Sequence, residues 1–272
     1  MIARNPKLSV LAPAPSLAVT RRYFVNGAAA LTAGVTTGGI LPSPSWAVTP
    51  LFDLKNYMTP VKDQDDPLPC NSCTAFAVVA TVEGTYNKTN GHTGGTGPDM
   101  DEMDLFKNAG PASRCATTHW WPKEALRYCE MTGLLTAGKP KTKIKPPTNL
   151  LDPNDNVNNT QTNMKNWIRT HGPVVAVLVQ YEDFYGFGNC WFQSNGVTAN
   201  TNIYAPNKHR PGPIIGGHTV SIVGFDNNYW LCKNSWGATW NGDGYVRIKQ
   251  GTNGGQAETY IDKIDVWGVE IA

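Results

Sequence analysis

Residues 216–251 read GGHTVSIVGFDNNYWLCKNSWGATWNGDGYVRIKQG. Three apolar runs, Thr219 to Phe225, Tyr229 to Lys233 and Gly244 to Lys249, are separated by the turn-forming clusters Asp226-Asn227-Asn228 and Asn241-Gly242-Asp243-Gly244. That alternation of strand-like runs and turn residues predicts a strand meander. His218 then sits at the mouth of the first strand and Asn234 at the end of the second. Antiparallel pairing brings the two together although 16 positions separate them. An imidazole held by a side-chain amide is what a cysteine nucleophile requires, because the ring nitrogen turned away from sulfur must be fixed in one tautomer.

A cysteine in suitable surroundings lies upstream, in residues 59–84, TPVKDQDDPLPCNSCTAFAVVATVEG. Cys73 opens a predicted helix, Cys73 to Tyr86, with Asn71 or Ser72 as its cap and Ala75, Phe76, Val79 and Ala80 on one face. A helix N-terminus stabilises a thiolate through its unpaired amides and partial positive charge, and a nearby imidazolium lowers the thiol pKa further. Taken alone, Cys70-Asn71-Ser72-Cys73 also fits a redox pair, half of a zinc site or an ordinary disulfide; no second C-x-x-C is present.

The two blocks together resemble papain-like cysteine proteases. GGHTVSIVG, YWLCKNSWGATW and GDGYVRIKQG are similar to the segments that carry that family's catalytic His and Asn, and the Gln64 to Gly84 block to its N-terminal signature. The order is the family's, and the 145 positions from Cys73 to His218 match its spacing. The resemblance implies an α+β fold of two lobes: a helical N-terminal lobe over about 60–145 and an antiparallel, β-barrel-like C-terminal lobe over about 160–272. It also implies a peptidase that hydrolyses peptide bonds through Cys73, His218 and Asn234, with Gln64 donating to the oxyanion, Trp236 covering the His218–Asn234 bond, and no cofactor or metal. The partner expected is a peptide or protein substrate, on a monomeric enzyme.

Several positions depart from the family pattern. Gln64 stands nine residues before Cys73 where six is usual, Asn71 replaces a Gly, and Thr74 replaces a Trp beside the nucleophile. Where the family has Asn-Gly-Gly to bind the substrate backbone, this chain has Ala116-Thr117-Thr118. These changes favour a rival reading, a non-catalytic or substrate-restricted relative acting as a binding module. The complete Gln64, Cys73, His218, Asn234 set favours the enzyme. A thiol oxidoreductase using Cys70 and Cys73 is a third reading, in which Cys115 would be dispensable.

At 272 residues the chain can bury a large core. The first 52 residues contain no Asp or Glu, and residues 20–25, TRRYFV, precede a moderately apolar, Gly-broken stretch and the small residues around Ala47. This predicts a twin-arginine export signal over 1–47, and a periplasmic or extracellular product beginning at Val48 with no room for a long propeptide. The glycines and Pro42 argue against a membrane span. Four of the 23 basic residues lie in the leader, so the remainder carries 19 against 21 acidic side chains, a net charge of −2 that gives no footprint for nucleic acid.

The middle of the chain supplies helices over Asp99–Lys107, Pro122–Gly133 and around Met164, Trp167 and Ile168, a buried strand Val174–Val179, and a Pro- and Lys-rich crossing over 139–159. His92 is read as solvated, His171 as a helix end, and His119, Trp120 and Trp121 as packing. Among the six cysteines, the resemblance implies a Cys70–Cys115 disulfide; Cys129 is read as a core thiol, and Cys190 and Cys232 are unassigned.

Overall fold

A computed structural model describes residues 52–66, 71–110, 120–187, 203–206, 212–253 and 258–272. The predicted leader, the Cys70–Cys115 pair, Ala116-Thr117-Thr118, His119 and Cys190 lie outside these residues. The fold is α+β, as expected.

Helix α1 (Cys73–Asn90) is the centre of the molecule. It runs one turn past the predicted end and stops at Gly91, whose left-handed backbone (φ 73°) lets its amide close on Asn87 O. One apolar face was expected, yet nearly the whole circumference from Thr74 to Gly84 is buried. Two bodies enclose it. Helices α2 (Glu102–Ala109) and α3 (Pro122–Met131) pack on one side, and their Leu105, Phe106, Leu126 and Cys129 join Val78, Val79 and Val82 of α1 in one core cluster. Asp101 caps α2 by accepting from Asp104 N, and Pro122 opens α3 at the position that needs no amide partner.

On the other side lies an eight-stranded sheet. Its strands are β1 (Phe52–Asp53), β4 (Thr148–Asn149), β5 (Val174–Tyr181), β6 (Ile203–Tyr204), β7 (Ile214–Phe225), β8 (Tyr229–Lys233), β9 (Tyr245–Lys249) and β10 (Val266–Gly268). The order is β4-β10-β5-β7-β8-β9-β6, with β1 added on β7. The predicted meander is β7-β8-β9, antiparallel throughout. The sheet as a whole is mixed, because β6 pairs parallel with β9. Helix α4 (Val157–Thr170), capped by Asn156, closes the far face with Met164 and Ile168 in the sheet's core. His171 ends that helix and stacks on Trp167, a structural role.

Two sequence expectations change. The stretch read as an open crossing contains β3 (Lys139–Thr142), which pairs with β2 (Leu134–Thr136), as well as β4 and the start of α4. And β7 begins at Ile214, so His218 stands inside the strand, opposite Leu178 of β5, rather than at its mouth.

Candidate active site

Strand β7 presents two different faces, and His218 stands inside it. Even-numbered Val220 and Ile222 join the apolar core beneath the sheet, while odd-numbered Thr219 and Ser221 turn to α1. Contacts between α1 and β7 set the start of the helix, and hence Cys73, against His218. Thr81 on α1 gives a hydroxyl contact to Ser221 at 2.9 Å, and Thr74 meets Thr219 at 3.0 Å. Thr74 also donates to Trp120 O at 2.7 Å. Its only hydrogen is thereby used, and the hydroxyl hydrogen of Thr219 is left for Thr74 Oγ1 or for the sulfur of Cys73.

Cys73 Sγ is hydrogen-bonded to His218 and to the backbone and hydroxyl of Thr219. Burial alone would raise the thiol pKa; the His218 hydrogen bond and charge, helped by Thr219, outweigh it and bring the thiol below its ordinary value. Cys129 and Cys232 are fully buried, free thiols without such partners, and burial pushes both upward, Cys129 to about 12. Of the three described cysteines, Cys73 is thus the one whose thiol is brought below its ordinary value.

On its other side His218 Nε2 lies 2.7 Å from Asn234 Oδ1. An amide oxygen can only accept, so Nε2 carries the proton and the remaining nitrogen faces sulfur. Trp236 lies over this contact, its ring 4.7 Å from the imidazole, and is backed by Phe184, Tyr185 and Trp240. His218 and Asn234 are each only 3% exposed, so the bond forms in a shielded site.

Gln64 is held from the same strand end. The Lys62–Gln64 segment pairs with Ser235–Gly237 through Gln64 N to Ser235 O at 2.8 Å, an Asp63–Trp236 bridge, and Gly237 N to Lys62 O at 3.2 Å. Ser235 Oγ donates to Gln64 Oε1 at 2.6 Å, which leaves the Nε2 end of the amide to serve as donor. Ser72 takes the N-cap position of α1 without capping it; its hydroxyl donates to Gln64 O at 3.4 Å instead. The four predicted residues therefore divide into a contiguous Cys73–His218–Asn234 row and a Gln64 fixed separately beside it.

A model described as the papain family cysteine protease matches residues 49–264. The chain belongs to the papain family. Among curated relatives, it is 40% identical to cathepsin B-like cysteine proteinase 4 of Caenorhabditis elegans over 90 residues, covering 32% of this chain and 22% of that one. It is 27% identical to the oryzain gamma chain of Oryza sativa subsp. japonica over 211 residues, covering 72% and 53%. It thus spans about half or less of the length of these two relatives. A cysteine protease of Carica candamarcensis has the same fold, with a TM-score of 0.58 and 24% identity over 80% of this chain and 97% of that one.

Within this papain-family chain, several contributors escape sequence reasoning. Thr219, next to His218, bears on the sulfur, and the hydroxyl pairs along α1 carry no motif. Thr74, noted only as a replacement for Trp, is 2% exposed and fully bonded, so it locks Trp120 and Thr219 in place rather than opening the site to water. A cluster of the buried Glu83, Glu102 and Lys233 with the half-buried Lys62 lies behind the row. Its signal was present in the sequence as single charges inside apolar runs, Glu83 in AFAVVATVEG and Lys233 in YWLCKN. Among the described residues no group of three His, Cys, Asp or Glu is placed to hold a metal, and no helix is long and apolar enough to cross a membrane.

Proposed function

We propose that residues 48–272 form a cysteine peptidase in which Cys73, His218, Asn234 and Gln64 act together on a peptide or protein substrate. The observation that carries this reading is the position of His218, hydrogen-bonded to Cys73 on one side and to Asn234 on the other. His218 takes the thiol proton, the thiolate adds to the amide carbonyl, and the oxygen becomes an anion. Gln64 Nε2 and the Cys73 amide at the start of α1 donate to that anion. The C–N bond then breaks as His218 protonates the leaving amine, which leaves a thioester. Water, deprotonated by His218, releases the acid and restores the thiol. Asn234 keeps the imidazole in the tautomer this sequence needs, and Trp236 keeps water from the Asn234 bond.

We further propose that the chain is exported by a twin-arginine signal over 1–47 and acts as a monomer. Replacing Arg21 and Arg22 by Lys should leave an uncut precursor in the cytoplasmic fraction; unchanged maturation would refute the signal.

The peptidase is tested on the chain from Val48 in mild reductant, with a mixed fluorogenic peptide library and Cys73→Ala as control. Turnover that disappears in the control is expected. No turnover, with Cys73 alkylated by iodoacetamide no faster than a free thiol, would leave the chain a papain-family binding module.

A further inference from the structure

Asn234 is buried, its Oδ1 is taken by His218, and its Nδ2 has no hydrogen-bond partner. An amide N–H2 sealed from water without an acceptor loses its solvation with nothing in return. The same residue lines a cavity of about 10 Å³ between α1 and the end of β8, room for one water molecule. Around it stand Lys62, Glu102, Thr219, Lys233 and Ser235.

The donors and acceptors of this wall can be counted. Lys62 spends its three N–H bonds on Met100 O, Glu102 and Asp99. Lys233 gives two to Thr59, at 2.8 Å to its carbonyl and 3.1 Å to its hydroxyl, and has a third in hand. Burial lowers the Lys233 pKa to about 8, so the ammonium is kept at neutral pH. Two donors, Asn234 Nδ2 and Lys233 Nζ, therefore lack an acceptor. Ser235 gives its hydrogen to Gln64 and keeps its lone pairs, and Glu102, whose pKa burial raises to about 7, takes the bond from Lys62 on one carboxyl oxygen. A group that accepts twice and donates twice satisfies the wall. A cation would meet the two ammonium groups and an anion the carboxyl of Glu102, whereas water both accepts and donates as the wall requires.

We propose that this cavity holds one ordered water molecule that accepts from Asn234 Nδ2 and links it to Lys233 and Glu102, which makes those two residues positioning residues for His218. The inference rests on the reading of Asn234 as the residue that orients the imidazole. The chain of contacts then runs from the buried ions through the water and the amide to the ring, and it resists rotation of Asn234 away from His218.

The direct test is a crystal structure of the Cys73→Ala protein at a resolution that shows ordered solvent. A density peak about 3 Å from both Asn234 Nδ2 and Lys233 Nζ is expected; an empty cavity, or a peak that reaches neither, overturns the proposal. This result does not depend on activity, so it stands apart from any failure of the peptidase reading. A second variant fills the space from α1, whose Ala77 and Ala80 line it. Ala77→Val should displace the water and lower kcat about tenfold, a fraction of what a positioned base contributes, with KM unchanged and no gain in Tm. Unchanged kcat with a raised Tm would mean that the cavity is dry and would also overturn the proposal.

Discussion

The two faces of β7 are built from alternate residues of one strand, yet they work by different physics. Val220 and Ile222 pack with Val174, Ala176 and Leu178 of β5 in an apolar core that tolerates small displacements because its contacts have no direction. Thr219 and Ser221 meet α1 through hydroxyl pairs that tolerate almost none. The first face keeps the strand in the molecule, and the second sets its register against the helix that carries Cys73. Because side chains alternate, a slip of one residue would exchange the two sets.

The comparison can be broken at its junction, where the largest effect lies. His218→Ala should lower kcat/KM by at least about 10³-fold while the protein still unfolds cooperatively, as seen by calorimetry beside kinetics. On the apolar face, Ile222→Ala should cost about 2–5 kcal/mol in denaturant unfolding and leave kcat per folded molecule unchanged; a matching loss of kcat would erase the distinction between the faces. On the hydroxyl face, Thr219→Val keeps the shape and removes a donor to the sulfur. The Cys73 thiol then titrates higher. Since its pKa in the wild type is lowered, the thiolate persists to lower pH than that of an ordinary thiol and is lost as pH falls through that lowered value; in the variant the loss begins at higher pH. Iodoacetamide alkylation across pH should show this displacement, with a slower rate than wild type on the acid side of the profile. The smallest effect belongs to Ser221→Ala, which removes one buried hydroxyl pair while Thr81 keeps its bond to Ala77 O at 2.8 Å. About 0.5–1.5 kcal/mol of stability should go, with no change in the alkylation profile.

Much of this could be read in the chain itself. Tyr229–Lys233 was placed to the residue, Cys73 at the head of its helix was placed correctly, and His218 beside Asn234 followed from simple antiparallel pairing. What escaped was decided by distant partners. The predicted strand began at Thr219, and its extension back to Ile214 depends on β5, which supplies a pairing partner for that part. Lys139–Thr142 holds a proline and three polar residues, a poor strand by composition, and exists as a short edge next to β2. The full burial of α1 was hidden for a similar reason: its threonines and Glu83 break the apolar pattern, and several of them are answered by a polar group far away in sequence, such as Ser221 for Thr81 and Thr59 for Glu83.

The separation of Gln64 from Cys73 was counted as a departure because nine positions stand where six are usual. Gln64 is anchored to Ser235 through backbone and side chain, and the start of α1 is tied back to Gln64 O through Ser72. The length of chain between two fixed posts is then free to vary without moving either. For an engineer it is the place to insert a segment next to a reactive sulfur without disturbing it.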